Sequence, residues 1–190
     1  MAERKRVAVL ISGSGSNLQA LIDDSANVES PYAIVLVLSN KADAYGLIRA
    51  DQAGIATTVI SHRDYATREA FDAAMNAEIE KANPDLVCLA GFMRILTPVF
   101  IDRWKGKLIN IHPSLLPKFK GLHTHQRALD AHETEHGCTI HWVVPDLDSG
   151  DIIAQARVPV FTDDTEETLA ARVLAQEHTL YPATVRKLLS

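Results

Sequence analysis

The sequence predicts an α/β protein: an open, mostly parallel sheet with helices on both faces and a late antiparallel strand pair. Three observations predict it. Short apolar runs of strand length recur through the first 112 residues, mostly alternating with stretches of helical spacing. A glycine-rich turn closes the first of these runs. Two alternating runs near the end, 138–144 and 152–160, bracket a loop in which four of the seven residues 145–151 are Asp or Gly.

Residues 6–12 (RVAVLIS) read as a central parallel strand, buried on both faces. Gly13-Ser14-Gly15-Ser16-Asn17 follows, then Leu18, Ala20, Leu21 and Ile22 at helical spacing. A strand, a glycine turn and a helix start present free backbone N–H groups to an anion, aided by the helix dipole. Ser16 and Asn17 are expected to cap the helix or to donate side-chain hydrogen bonds to a phosphate. Leu18 stands where the dinucleotide fingerprint needs its third glycine, and no Gly-Lys-Ser/Thr follows, so a small phosphorylated ligand fits better than a nucleotide.

Next come a strand at 33–39, a helix at 42–53 closed by Gly54, a strand at 55–60 and a helix at 67–82. Arg68, near that helix start, is a candidate carboxylate ligand. The fourth strand, 85–90, ends in Gly91-Phe92-Met93-Arg94-Ile95-Leu96, where apolar side chains past a carboxyl end suit a pocket wall. A short helix at 97–104 carries Pro98 in its first turn. The fifth strand begins at Leu108 and runs into Asn110, His112 and Pro113. Residues 117–125 read as a lid, 126–131 as a helix, and 165–189 as a helix opened by Thr165-x-x-Thr168 that Pro182 should kink or break.

A chain of 190 residues is expected to form a single domain over 1–190, burying roughly 70% of its unfolded surface. With 47% hydrophobic and 23% charged residues it has an ordinary globular balance. No apolar run reaches the ~20 residues of a membrane span. The basic start lacks the apolar core of a signal peptide, so a cytoplasmic location is expected. Net charge −5 disfavours nonspecific nucleic-acid binding, so an anionic substrate needs local donors. Cys88 and Cys138, isolated within apolar runs, read as buried free thiols. His123-x-His125 and His132-x3-His136 raise a zinc site, but no carboxylate or thiol completes a ligand set, so no metal is expected.

The stretch with the most chemistry is 106–117, GKLINIHPSLLP. Pro113 stops the strand, placing Asn110 and His112 at the mouth of a sheet. Two residues apart on a strand, they point to one side. A carboxamide and an imidazole so placed can stabilise an oxyanion and move a proton. Alone, the same residues could serve a turn; the glycine loop and Asp148 in the second turn-rich loop give them company.

ISGSGSN at 11–17, AGFMRIL at 90–96, NIHPSLLP at 110–117 and DLDSG at 146–150 together resemble the folate-dependent phosphoribosylglycinamide formyltransferases. The similarity runs from about Val7 to Tyr181. It implies a Rossmann-like formyltransferase fold, and formyl transfer from 10-formyltetrahydrofolate, as co-substrate, to the amine of 5'-phosphoribosylglycinamide in purine biosynthesis. By the resemblance Asn110, His112 and Asp148 match the catalytic residues. Gly15, Ser16, Asn17 and Glu177 match the ribonucleotide contacts. Arg68, Met93, Arg94, Ile95, Leu96 and Val144, with Asn110 and Asp148, match the folate site. Leu174 departs from relatives that carry a polar ribose ligand there. Small-molecule partners, no nucleic acid, no membrane, and a monomer or homodimer are the corresponding expectations.

Three other readings stand beside this one. A tRNA formyltransferase needs a nucleic-acid-binding region for which the length leaves no room, and a formyltetrahydrofolate hydrolase needs a regulatory domain not seen here. A non-catalytic phosphosugar-binding module has no use for Asn110, His112 and Asp148 in one pocket.

Overall fold

The computed structural model describes residues 3–190. Five strands, β1 (Lys5–Ile11), β2 (Tyr32–Ser39), β3 (Thr57–Val59), β4 (Leu86–Leu89) and β5 (Leu108–His112), lie parallel in the order β3-β2-β1-β4-β5. The sheet continues with β6 (Glu135–Trp142) and β7 (Ile152–Pro159), both antiparallel to their neighbours. The expected fold class is therefore the observed one. Chain order reverses between β1 and β4, and in such sheets the crevice for ligands opens outside the carboxyl ends at that point.

Alternation along β1 separates two core layers. Val7, Val9 and Ile11 pack with helices α1 (Ser16–Ser25), α2 (Tyr45–Gln52) and α6 (Glu166–Leu189) on one face. Ala8 and Leu10 pack with Phe71, Met75 and Ile79 of α3 (Arg68–Ala82) and Phe100 of α4 (Pro98–Ile101) on the other. A smaller cluster joins Ala128 of α5 (Thr124–Asp130) to Cys138, Val158, Leu169 and Val173. Both cysteines are free and fully buried, and burial pushes each thiol up to about 12, out of the range of ordinary reactivity.

Two expectations are corrected. Helix α6 runs unbroken through Pro182, although proline removes one hydrogen bond there at a cost of about 3 kcal/mol. Leu169, Val173, Tyr181 and Val185 are fully buried on either side, and that burial outweighs the loss. The cap of α1 is Gly15, in the left-handed conformation and with no side-chain cap bond, so Ser16 and Asn17 lie inside the helix. At α6 the expected opening holds: Thr165 and Thr168 form a reciprocal capping box.

Candidate active site

On β5, Ile109 and Ile111 face the α1/α6 layer, which turns Leu108, Asn110 and His112 to the opposite face. The turn beyond the strand is fixed by polar contacts. Thr139 of β6 donates to the Ser114 carbonyl (2.7 Å) and accepts from the Leu116 N–H (3.1 Å), and Thr124 donates to the Pro113 carbonyl (2.6 Å). His112 is held rigidly, with 5% of its surface exposed.

Asp148 reaches this point by a less obvious route. Because β6 is antiparallel, it ends beside Ile109, so the loop carrying Asp148 must fold back over the sheet face to reach His112. Gly150 permits this: a Cβ there would lie 1.6 Å from the Trp142 carbonyl oxygen. Asp148 itself adopts φ 48°, a conformation Asp tolerates better than most residues. Its Oδ2 accepts the Gly121 N–H at 2.9 Å and lies 3.5 Å from His112 Nδ1, an ion-pair distance. The two loops far apart in sequence do meet.

Hydrogen-bond partners fix the ring states. His112 Nε2 faces the Phe119 carbonyl at 2.9 Å, and a carbonyl only accepts, so Nε2 carries hydrogen. Nδ1 then points at the Asp148 carboxylate, which orients the ring. His141, which the sequence reading missed, is the direct cross-strand partner of Asn110. Its Nδ1 donates to the Trp142 carbonyl (3.0 Å), leaving Nε2 to accept from Asn110 Nδ2 (3.3 Å). Burial lowers the His141 pKa, against the opposing pull of the Trp142 carbonyl and Asp148, and the ring is neutral at pH 7. Asp148 lies between the two imidazoles, its Oδ2 3.5 Å from His112 Nδ1 and its Oδ1 3.7 Å from His141 Nε2. Two signals could have revealed His141: a polar ring inside the apolar run CTIHW, and its period-2 match to Thr139.

These residues line a cavity of about 850 Å³. Asn17 and Glu177 stand on its wall, with Asn17 Nδ2 donating to Glu177 Oε2 at 3.3 Å. Asn17 Oδ1 is buried without a partner, an acceptor free for an incoming N–H or O–H. Burial pushes the Glu177 carboxyl up to about 7, only partly offset by Asn17. Arg68, Met93, Arg94, Ile95, Leu96 and Val144 also line the cavity. Met93 and Ile95 are more than 60% exposed, a large apolar surface left to face a ligand. This wall is anchored from below: the Met93 N–H donates to Ser12 Oγ, which donates to Asn40 Oδ1.

Gly15 and Ser16 are not on that wall. Ser16 borders a separate groove of about 630 Å³ with Gln19, Arg49 and His178. Gly15, at φ 71°, packs against Gly46, leaving 2.6 Å between its would-be Cβ and Gly46 Cα; the Gly46 N–H donates to the Gly13 carbonyl at 3.0 Å. Their contribution to a ligand is the backbone N–H array opening α1. Leu174 is half-buried and outside the cavity lining. Residues 117–125 are tied down by the Phe119 and Gly121 contacts and by Arg127, which donates to the Lys120 (2.6 Å) and Leu122 (3.1 Å) carbonyls. His125 and His136 hydrogen-bond each other at 3.1 Å, and among the described residues no group of three or more His, Cys, Asp or Glu side chains is placed to hold a metal.

An open α/β sheet that gathers a carboxamide, a carboxylate-paired imidazole and an apolar cleft at one end is an arrangement suited to group transfer. Comparison with known proteins narrows the class. A sequence model described as formyl transferase matches residues 5–185, so the chain belongs to the formyl transferase family. The phosphoribosylglycinamide formyltransferase of Escherichia coli strain K12 is 51% identical over 179 residues, covering 94% of this chain and 84% of that protein. The trifunctional purine biosynthetic protein adenosine-3 of Chironomus tentans is 56% identical over 185 residues; the chain spans 14% of that protein's length. The crystal structure of phosphoribosylglycinamide formyltransferase from Brucella melitensis superposes with a TM-score of 0.95 at 52% identity, covering 99% of this chain and 97% of that one. Among the described residues no helix is long and apolar enough to cross a membrane.

Proposed function

We propose that the chain transfers the formyl group of 10-formyltetrahydrofolate to the primary amine of 5'-phosphoribosylglycinamide, yielding the formylated ribonucleotide and tetrahydrofolate. The observation that supports this most strongly is the shared cavity. Asn17 and Glu177, the ribonucleotide candidates, and Arg68 with the Met93–Leu96 wall, the folate candidates, open onto Asn110, His112 and Asp148. Its volume lies in the range of sites that enclose small-molecule ligands.

In this reading the ribonucleotide phosphate sits on the N–H groups opening α1, with Glu177 and the free Asn17 oxygen facing the ribose and the glycinamide arm. The pteridine lies against Met93, Ile95, Leu96 and Val144, and Arg68 and Arg94 take the carboxylates of its tail. The substrate amine attacks the formyl carbon, giving a tetrahedral carbon with an oxyanion. Asn110 donates one N–H to that oxygen while the other is held by His141. His112, oriented by Asp148, donates Nε2–H to it, exchanging the Phe119 carbonyl for the developing charge. The C–N bond to the folate nitrogen then breaks, and the proton lost by the amine passes, through a water ordered by Asp148, to the departing nitrogen.

Absorbance of the deformylated folate, followed with both substrates present, tests the reading. Turnover that requires the ribonucleotide is the predicted result. Formate release at the same rate without ribonucleotide would assign hydrolysis instead, and binding of both ligands with no reaction would reduce the chain to a binding module.

A further inference from the structure

Helix α2 closes over the loop that opens α1. Its Gly46 N–H donates to the Gly13 carbonyl at 3.0 Å, and Arg49 Nε donates to the Ser14 carbonyl at 2.8 Å. Two successive carbonyl oxygens, which would repel an anion, are therefore taken up by α2, and the N–H groups beyond them are left free at the start of α1. The Arg49 side chain lies along the loop, with Cδ 3.5 Å from the position a Gly15 Cβ would take. Its Nη1 donates to Gln19 Oε1 at 3.3 Å, and the guanidinium lies over Tyr45, 4.9 Å from the ring centroid. Loop, helix and aromatic ring together fix the charge beside the first turn of α1.

That placement is electrostatically unbalanced. A helix N-terminus already carries about half a positive charge, and a cation beside it is unfavourable unless an anion joins them. The first turn of α1 holds no acidic residue, and among the described residues no carboxylate lies within ion-pair distance of Arg49. The two carboxylates of the adjoining groove are engaged elsewhere: Asp24 pairs with Arg186 at 2.7 Å, and Asp23 accepts from Gln19 at 2.8 Å. A last-turn position suits Arg49 to the dipole of α2, yet its side-chain hydrogen bonds run to Ser14 and Gln19. His178 of α6 borders the same groove, and its Nε2 is buried with no hydrogen-bond partner. Burial and then the charge of Arg49 lower the His178 pKa, so the two side chains are neighbours.

We propose that Arg49 is a positioning residue for the 5'-phosphate of the ribonucleotide: it holds the 13–17 loop in its anion-binding form and supplies the fixed charge that selects a phosphorylated substrate. This rests on the formyl-transfer reading and names the residue that discriminates its acceptor substrate from the dephosphorylated one. Arg49 acts on binding and leaves the chemistry at His112 untouched.

The test measures equilibrium binding of 5'-phosphoribosylglycinamide and of its dephosphorylated ribonucleoside, with steady-state kinetics, in the unaltered chain, Arg49→Gln and Arg49→Lys. In Arg49→Gln the phosphorylated compound should bind about tenfold to a hundredfold more weakly, the loss of a hydrogen-bonded charge, and the ribonucleoside within about twofold of the unaltered chain. The defect should fall on the ribonucleotide KM, with kcat at saturation and the folate KM within about threefold. Arg49→Lys keeps the charge without the planar fork and should recover part of the affinity, more at low ionic strength than at high. Equal losses for the two compounds, no loss for either, or equal affinity for both in the unaltered chain would overturn the proposal. Modification by phenylglyoxal gives a readout that needs no variant: ribose 5-phosphate should protect Arg49 of the unaltered chain, and undiminished modification would overturn the proposal. If the ribonucleotide binds but is not formylated, the formyl-transfer reading fails, and the binding comparison still decides the role of Arg49.

Discussion

At the scale of single residues, the site works by giving each polar group one task through its neighbours. Asn110 has two amide hydrogens, and His141 takes one of them at 3.3 Å. His141→Phe fills the space but removes the acceptor, freeing the carboxamide to rotate. We expect kcat to fall about tenfold to a hundredfold, the cost of a lost buried hydrogen bond, with the ribonucleotide KM within about twofold. Equal losses in kcat and binding would indicate a general packing defect. Glu177 carries a pH signature. Burial raises its pKa from 4.5 to about 7, so between these values the folded state binds more protons than the unfolded state. Stability therefore falls as pH rises through that window, and the loss, up to about 3 kcal/mol, is complete above it. Denaturant unfolding without ligands should show this decline between about pH 5 and about pH 8, and a shallower one in Glu177→Gln. Asn110 and His112 were legible because Pro113 marks the strand end they occupy. His141 was not, because a buried imidazole in an apolar strand reads as core until its cross-strand partner is known.

Among the elements, the α1 loop depends on a neighbour that the sequence reading did not connect to it. Gly46 of α2 has room for no side chain: a Cβ would sit 2.4 Å from Ile11 Cδ1 and 3.2 Å from Gly15 Cα. Gly46→Ala should push α2 away from the loop, costing about 1–3 kcal/mol and raising the ribonucleotide KM at least about tenfold, with the folate KM little changed. Thermal unfolding and steady-state kinetics together check this; a stable variant with an unaltered ribonucleotide KM would detach α2 from the site. Most elements were legible from periodicity and capping, as the Thr165–Thr168 box shows. Errors fell where tertiary packing overrides local preference. Pro182 sits within a well-buried stretch of α6, and β6 begins at Glu135, before its apolar run, because Glu135 to Gly137 pair with Arg157 to Pro159 of β7. The 117–125 segment reads as a lid from its composition, yet its backbone binds His112 and Asp148 directly.

Seen whole, the molecule combines a parallel sheet that creates a crevice by its strand order with an antiparallel extension that delivers a carboxylate to it. The first part was readable, since apolar runs alternating with helices define it. The return of the Asp148 loop over the sheet depends on register and on the closeness of Gly150 to Trp142, which no local pattern encodes. The central claim is that Asp148 makes His112 an effective donor to the oxyanion. The most direct measurement is the single-turnover rate of formyl transfer in Asp148→Asn, alongside ribonucleotide affinity in the same variant. The account predicts a rate lower by about 10²–10³-fold, the usual loss of one oxyanion donor, with affinity nearly unchanged. A rate within about threefold of the unaltered chain would contradict it.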